Sequence, residues 1–327
     1  MRYFYSSFAL MILGLIAAFY LGGTGAIYIT FLLIVLEISL SFDNAVVNAK
    51  VLETLDPIWQ KRFIVFGLPI AVFGMRLVFP LAIVSIVTGL GLFETLQVAI
   101  DEPHRYEMIL KSTETTIFAF GGAFLLMVFL DFFFQEHDIK WVTFVEGSRI
   151  VERVSGVANI ELITAIMVGI ALGHITQDFA IVLAFMYGVL LHSLLEMVDH
   201  FLSSDTVKSG IAGFIYLEVL DASFSFDGVI GAFALTSNIF IIMIGLGVGA
   251  MFVRSITLYF VEHQTLSAFR YLEHGAHYAI GILAIIMLMK ITTHISEMVT
   301  GTIGIGLILI AFLHSLWENK KANEESL

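Results

Sequence analysis

Two acidic motifs stand inside apolar stretches of this chain. The first runs Leu36-Glu37-Ile38-Ser39-Leu40-Ser41-Phe42-Asp43-Asn44, the second Leu220-Asp221-Ala222-Ser223-Phe224-Ser225-Phe226-Asp227-Gly228. Each has an acid, five residues and a second acid that closes Ser-Phe-Asp. A carboxylate at the centre of a bilayer costs on the order of 3 kcal/mol on insertion scales, so such acids usually mark a function. Four of them at repeated positions predict a path or site for a cation. Carboxylate, amide and carbonyl oxygens suit Mg2+, Ca2+ and Mn2+. With no His or Cys inside the motifs, Zn2+ and Cu+ are disfavoured.

Helical phase divides the motif. Glu37, Ser41, Asn44 and Asn48 follow steps of four, three and four and share a face, whereas Asp43, six residues beyond Glu37, is rotated about 240° away. Either the helix unwinds near Ser39-Leu40-Ser41, the favoured reading, or the two acids address different cavities. Asn48 has Ala232 as its counterpart, which would make the site asymmetric. Arg76 and Arg254, each alone in an apolar run, are expected to be counter-ions of the motif acids, because an unpaired guanidinium at mid-bilayer is improbable. Three roles remain open for the acids: metal transport, which is preferred, structural pairing with the arginines, and a proton relay without metal.

These residues must be positioned by membrane helices. The chain has 327 residues, 59% hydrophobic and 13% charged, far from soluble composition. The net charge of −12 lies mostly in loops and the tail, and nothing basic suggests a nucleic acid partner. Cysteine is absent, which excludes disulfides and thiolate sites. Apolar runs fall at roughly 3–21, 26–49, 63–90, 113–134, 158–173, 177–198, 209–235, 239–260, 275–293 and 299–317. Each is about long enough to cross ~30 Å of hydrocarbon as a helix, though the fifth is short. Alternating barrel strands are missing, so the fold expected is an all-α polytopic membrane protein of about ten spans. The first run follows Arg2 and lacks a convincing cleavage site, so it is expected to be retained. With both termini cytoplasmic, eleven lysines and arginines fall inside, only Arg105 and Lys111 outside, and Arg76, Arg254 and Lys290 within spans.

The motifs belong to a longer repetition. Ser41 to Ser225 is an offset of 184 (225 − 41), Arg76 to Arg254 is 178, and Glu114 to Glu273 and Asp131 to Lys290 are both 159. Spans two, three and four thus pair with seven, eight and nine. Five spans per half invert one half relative to the other, a transporter architecture with its site where the halves meet. The expected organisation is a repeat over 1–173 with a cytoplasmic loop near 135–157, a second over 174–318, and a tail over 319–327. Glu37 and Asp221 would lie at the centre, with Asp43 about 9 Å toward the cytoplasm and Asp227 about 9 Å toward the exterior.

Other polar residues carry weaker signals. Leu191-His192-Ser193-Leu194-Leu195-Glu196 echoes Leu313-His314-Ser315-Leu316-Trp317-Glu318, and His192 and Glu196 share a helix face, but the echo does not fit the five-span repeat. These histidines and Glu136-His137-Asp138 are read as packing or loop residues rather than metal ligands. Asp131 and Lys290 are read as interfacial charges, and Gly121, Gly122, Gly245, Gly247 and Gly249 as helix contacts. No enzyme is expected. A membrane enzyme with paired aspartates remains an alternative, although the basic clamps of prenyl transfer are absent. A non-transporting assembly subunit is another.

On Glu37 with Ser41-Phe42-Asp43-Asn44, and on Asp221 with Phe226-Asp227, the chain resembles the TerC family of tellurium-resistance-associated membrane proteins, over roughly 25–315. It looks like a divergent branch of otherwise unknown function. The resemblance implies a bacterial inner-membrane exporter of Mn2+, with Glu37, Asp43, Asn44, Asp221 and Asp227 as metal ligands and Ser41, Asn48, Ser225, Arg76 and Arg254 in support. No resident cofactor is implied. The partners expected are the lipid bilayer, the transported divalent cation and protons as counter-ions, with the oligomeric state open. Two departures stand out. Gly228 occupies a position where related proteins often have serine, and Ile230-Gly231 lacks the proline common there. One ligand is then missing or supplied by backbone.

Overall fold

Long apolar runs with no water to bond their backbone leave the helix as the favoured conformation, and among the described residues of the computed structural model every element is helical. It describes residues 2–67, 70–135, 139–202, 213–219, 221, 228–229, 232, 235–236, 238–263, 269, 271–295 and 297–325. Ser225, Asp227, the Glu136-His137-Asp138 run and the side chain of Asp43 lie outside the described residues. In order, the helices are α1 (Tyr5–Leu40), α2 (Phe42–Thr54), α3 (Pro57–Arg62), α4 (Phe79–Thr88), α5 (Leu92–Asp101), α6 (Pro103–Ser112) and α7 (Glu114–Phe134). They continue with α8 (Thr143–Glu146), α9 (Arg149–Ser155), α10 (Ile160–Thr176), α11 (Phe179–Leu202), α12 (Ile239–Glu262), α13 (Leu272–Lys290) and α14 (Glu297–Glu325). Between α3 and α4 the chain is π-wound over Phe63–Gly67 and Ile70–Val78.

Among the described residues, six helices contain stretches long and apolar enough to cross a membrane: α1, α7, α11, α12, α13 and α14. The ten expected runs map onto the chain unevenly. The third is divided between π-wound backbone and α4, the fifth is the 17-residue α10, and much of 209–235 lies outside the described residues.

The first run and most of the second lie in α1, the second continuing past Ser41 into α2; α1 is interrupted at Gly22 and Gly23, with φ 67° and ψ −154° at Gly23. Glycine tolerates this backbone where other residues are strained. The two arms pack on α12 in opposite directions. In the first, Ser7 Oγ donates to the Met251 carbonyl at 3.0 Å and Gly14 lies against Ile244 and Val248. In the second, Leu33 meets Gly245 and Glu37 meets Gly249. A Cβ on Gly249 would stand 2.5 Å from Glu37 Cβ, so glycine is what lets these backbones approach.

A second group packs around α7. It runs parallel to α11, with Gly188 against Phe120 and the His192 ring 5.4 Å from that of Phe124. It runs antiparallel to α13, where two contacts are reciprocal. Gly122 meets Leu288, and Gly281 meets Phe129. Both members of one contact map onto the other by the same offset of 159 (281 − 122 and 288 − 129). α10 runs antiparallel to α11 through Gly169 against Phe185 and Gly173 against Val182. α14 runs antiparallel to α13, with Gly275 against Ala311 and the Tyr271 amide donating to Ser315 Oγ at 2.8 Å. Buried Phe118, Phe124 and Phe185 belong to the main apolar core, and α2 joins the two groups by packing on both α12 and α13.

The segment after α7 is tied to the bundle. Trp141 Nε1 donates to His314 Nδ1 at 3.0 Å, and Tyr278 donates to the Glu146 carboxylate at 2.9 Å.

Candidate functional site

Glu37 lies near the end of the second arm of α1, fully buried. Its Oε1 accepts from Ser41 Oγ at 2.9 Å and from Arg76 Nη2. Ser41 is the one residue between α1 and α2, with φ −105° and ψ 16°. The ladder nevertheless passes through it, from the Ser41 amide to the Glu37 carbonyl at 2.9 Å and from the Ala45 amide to the Ser41 carbonyl at 3.2 Å. The unwinding expected over Ser39-Leu40-Ser41 is therefore a local break at Ser41. Ser41 can satisfy Glu37 with its own hydroxyl while the backbone keeps both bonds, so no turn has to open. Glu37, Ser41, Asn44 and Asn48 accordingly remain on one face and are all buried.

Arg76 comes from the π-wound Ile70–Val78 and is also buried. Its Nη2 meets Glu37, and its Nη1 lies 3.5 Å from Asp221 Oδ2. Asp221 Oδ1 accepts from Asn44 Nδ2 at 2.7 Å. Two acids from segments 184 residues apart (221 − 37) thus share one guanidinium. Gly228 lies against Glu37 at the carboxylate oxygen that Arg76 does not meet. A Cβ there would come within 3.1 Å of Oε2, an oxygen with no hydrogen-bond partner among the described residues.

Beside this bridge is a cavity of about 40 Å³, room for a few waters or a partly hydrated ion. Asn48, Glu218, Asp221, Arg76, Arg254 and Thr257 contribute to its wall. Asn48 Oδ1 and Glu218 Oε1 are buried and have no hydrogen-bond partner among the described residues. Buried oxygen atoms left open around a small cavity are acceptors in search of a cation or water. The structure therefore brings together Glu37, Ser41, Asn44, Asn48, Asp221, Arg76 and Arg254. Asp43 belongs to α2, but its side chain, with Ser225 and Asp227, lies outside the described residues.

Sequence reasoning passed over Glu218. It stands three residues before Asp221 in the same apolar run, a spacing that puts both acids on one helix face. His192 is also different from the packing residue expected. Its Nε2 lies 3.2 Å from Asp131 Oδ2, so Asp131 is held by a buried imidazole rather than standing as a solitary interfacial charge. His314, its sequence echo, instead accepts from Trp141.

The family described as Protein of unknown function (DUF475) matches residues 42–322, and the chain belongs to it. No curated protein and no solved structure matches.

Proposed function

We propose that this DUF475 chain is a secondary transporter exporting a divalent cation, Mn2+ first, through a carboxylate site between two inverted halves. One observation carries the reading: Glu37 and Asp221 converge on Arg76 beside a cavity whose wall includes open oxygens of Asn48 and Glu218. A divalent ion entering the cavity is drawn by three acids, Glu37, Glu218 and Asp221, and opposed by two guanidinium groups, Arg76 and Arg254. Arg76 then acts as a resident counter-ion that holds the acids together when no cargo is bound, since two buried carboxylates without a cation repel and are costly to desolvate. The ion competes with it for Asp221, whose contact is the longer of the two. Asp43 and Asp227 are proposed as the acids nearer the two mouths, and protons as the exchanged ion.

The ten-span, inverted arrangement with cytoplasmic termini is part of this proposal. Helix directions support it: the two arms of α1 oppose each other, α7 opposes α13, and the described residues from Gly213 to Gly228 run opposite to 37–55, with Gly213 against Leu55 and Gly228 against Glu37. The reciprocal contacts of Gly122 and Gly281 support the pairing of spans four and nine. The resemblance of the two motifs to TerC proteins points to the same cargo.

The test is the metal content of cells under Mn2+ load, with and without the chain. Cells with it should hold less Mn2+, and Glu37→Gln or Asp227→Asn should erase the difference. Equal Mn2+ in every case removes the transporter reading. The Arg76 bridge itself favours a second one, in which the acids are structural counter-ions only. In that case Glu37→Gln would lower stability, and wild-type cells would show no metal difference at all.

A further inference from the structure

We infer that the chain carries a second divalent-metal site, built from Asp131 of α7 with His192 and Glu196 of α11. His192 is buried with its Nε2 3.2 Å from Asp131 Oδ2. Glu196 is exposed one turn further on, and one ligand atom from each of the three residues falls within 4.8 Å of the others. Parallel packing produces the cluster. Phe120 against Gly188 and Phe124 against His192 hold the two helices in register, while the i,i+4 step points His192 and Glu196 the same way. Ligands bound at ~2.1 Å stand roughly 3 Å apart around a metal, so a modest turn of the exposed Glu196 side chain closes the set.

The donor set differs from that of the central site. One imidazole and two carboxylates suit Mn2+, Fe2+ or Zn2+, whereas Mg2+ and Ca2+ want oxygen alone. The Tyr216 ring lies 6.1 Å from that of His192. Tyr216 precedes Asp221 by five residues (221 − 216), about 7.5 Å of helical rise. The cluster therefore stands beside the segment that carries the central acid, at the end of α7 that leads into 135–157. In an exporter this is the side from which cargo is drawn, and the site captures the ion before it reaches Asp221. That role rests on the transport reading; the metal site itself does not.

Pulsed electron paramagnetic resonance of Mn2+ on the purified full-length chain separates the two sites, because an imidazole ligand couples its nitrogen to the metal and the central residues include no histidine. Wild-type protein should show nitrogen-coupled Mn2+, His192→Asn should lose that coupling, and Glu37→Gln should keep it. Glu196→Gln, at an exposed position that folding tolerates, should keep the nitrogen signal but weaken that ion by at least the ~10-fold that loss of even an outer-shell partner costs. Absence of nitrogen coupling in the wild type, its survival in His192→Asn, or unchanged affinity in Glu196→Gln would each overturn the site. The last decides the matter if His192→Asn does not fold. Nitrogen-coupled Mn2+ in a chain that leaves cellular Mn2+ unchanged would sustain this site and remove the export reading.

Discussion

Asn44 donates its side-chain amide to Asp221 across 2.7 Å. The same relationship recurs with one partner missing. Adding 184 carries Glu37 to Asp221 and Asn44 to Gly228, and Gly228 does lie against Glu37. Where Asn44 offers an amide to one acid, Gly228 has no side chain to offer the other, and Glu37 Oε2 has no hydrogen-bond partner among the described residues. The asymmetry leaves Asp221 Oδ1 satisfied by an amide and Glu37 Oε2, among the described residues, open to meet a cation.

Gly228→Ala should fill that opening. The new Cβ would stand 3.1 Å from Glu37 Oε2, a tight contact of the kind that costs about 1 kcal/mol. The chain should still accumulate in the membrane, while any lowering of cellular Mn2+ should be largely lost. Full retention of that effect would show that the open oxygen does not take part.

Arg76→Gln should expose the counter-ion role. Removing one partner of a buried ion pair costs about 3–5 kcal/mol because the remaining charge is stranded, and here two acids are stranded. The melting temperature in detergent should fall, and Mn2+ should restore it in the variant by more than it raises the wild type. Equal shifts in both proteins would mean that the ion does not bind where the guanidinium sits.

Gly249→Ala tests the approach of α1 to α12. Its Cβ would fall 2.5 Å from Glu37 Cβ and 2.6 Å from Glu37 Cγ, an overlap expected to cost about 1–3 kcal/mol as the helices separate. Gly25→Ala, with nothing within 4 Å of the added atom, should be neutral or slightly stabilising. Thermal unfolding of the two variants side by side checks the contrast.

Glu53, at the end of α2, gives a pH dependence. Burial pushes its carboxyl above the ordinary value, Lys50 opposes the shift, and Glu273 reinforces it. The folded chain therefore holds this proton more tightly than the unfolded one. The stability it supplies is full below the ordinary carboxylate pKa of 4.5 and is lost as pH rises through the raised value. Glu53→Gln should melt higher than wild type at pH 8 and the same at pH 4. A difference independent of pH would refute this.

Much of the site was legible because its physics is local. Steps of four, three and four along Glu37, Ser41, Asn44 and Asn48 predict one helix face, and those residues share a buried face. Isolated arginines in apolar runs predict acid partners; Arg76 sits between Glu37 and Asp221, and Arg254 lines the cavity that Asp221 and Glu218 also line. Gly22-Gly23 interrupts the first apolar stretch, and the two arms of α1 part there. Glu218 was equally visible, at one turn from Asp221, but the cavity it lines is formed only where Phe63, Gly67 and α12 meet it.

From its residues alone, the chain determined an all-helical, membrane-type fold and a repeated acidic motif, because hydropathy, helical period and the cost of a charge in lipid act within one segment. Which acids meet which cations was left to tertiary structure. Arg76 chooses both Glu37 and Asp221, and His192 finds Asp131 rather than repeating the surroundings of His314. Such pairings depend on the direction and register of helices that are distant in sequence. Glycine-mediated contacts between whole helices set that register, and no spacing within a single helix encodes it.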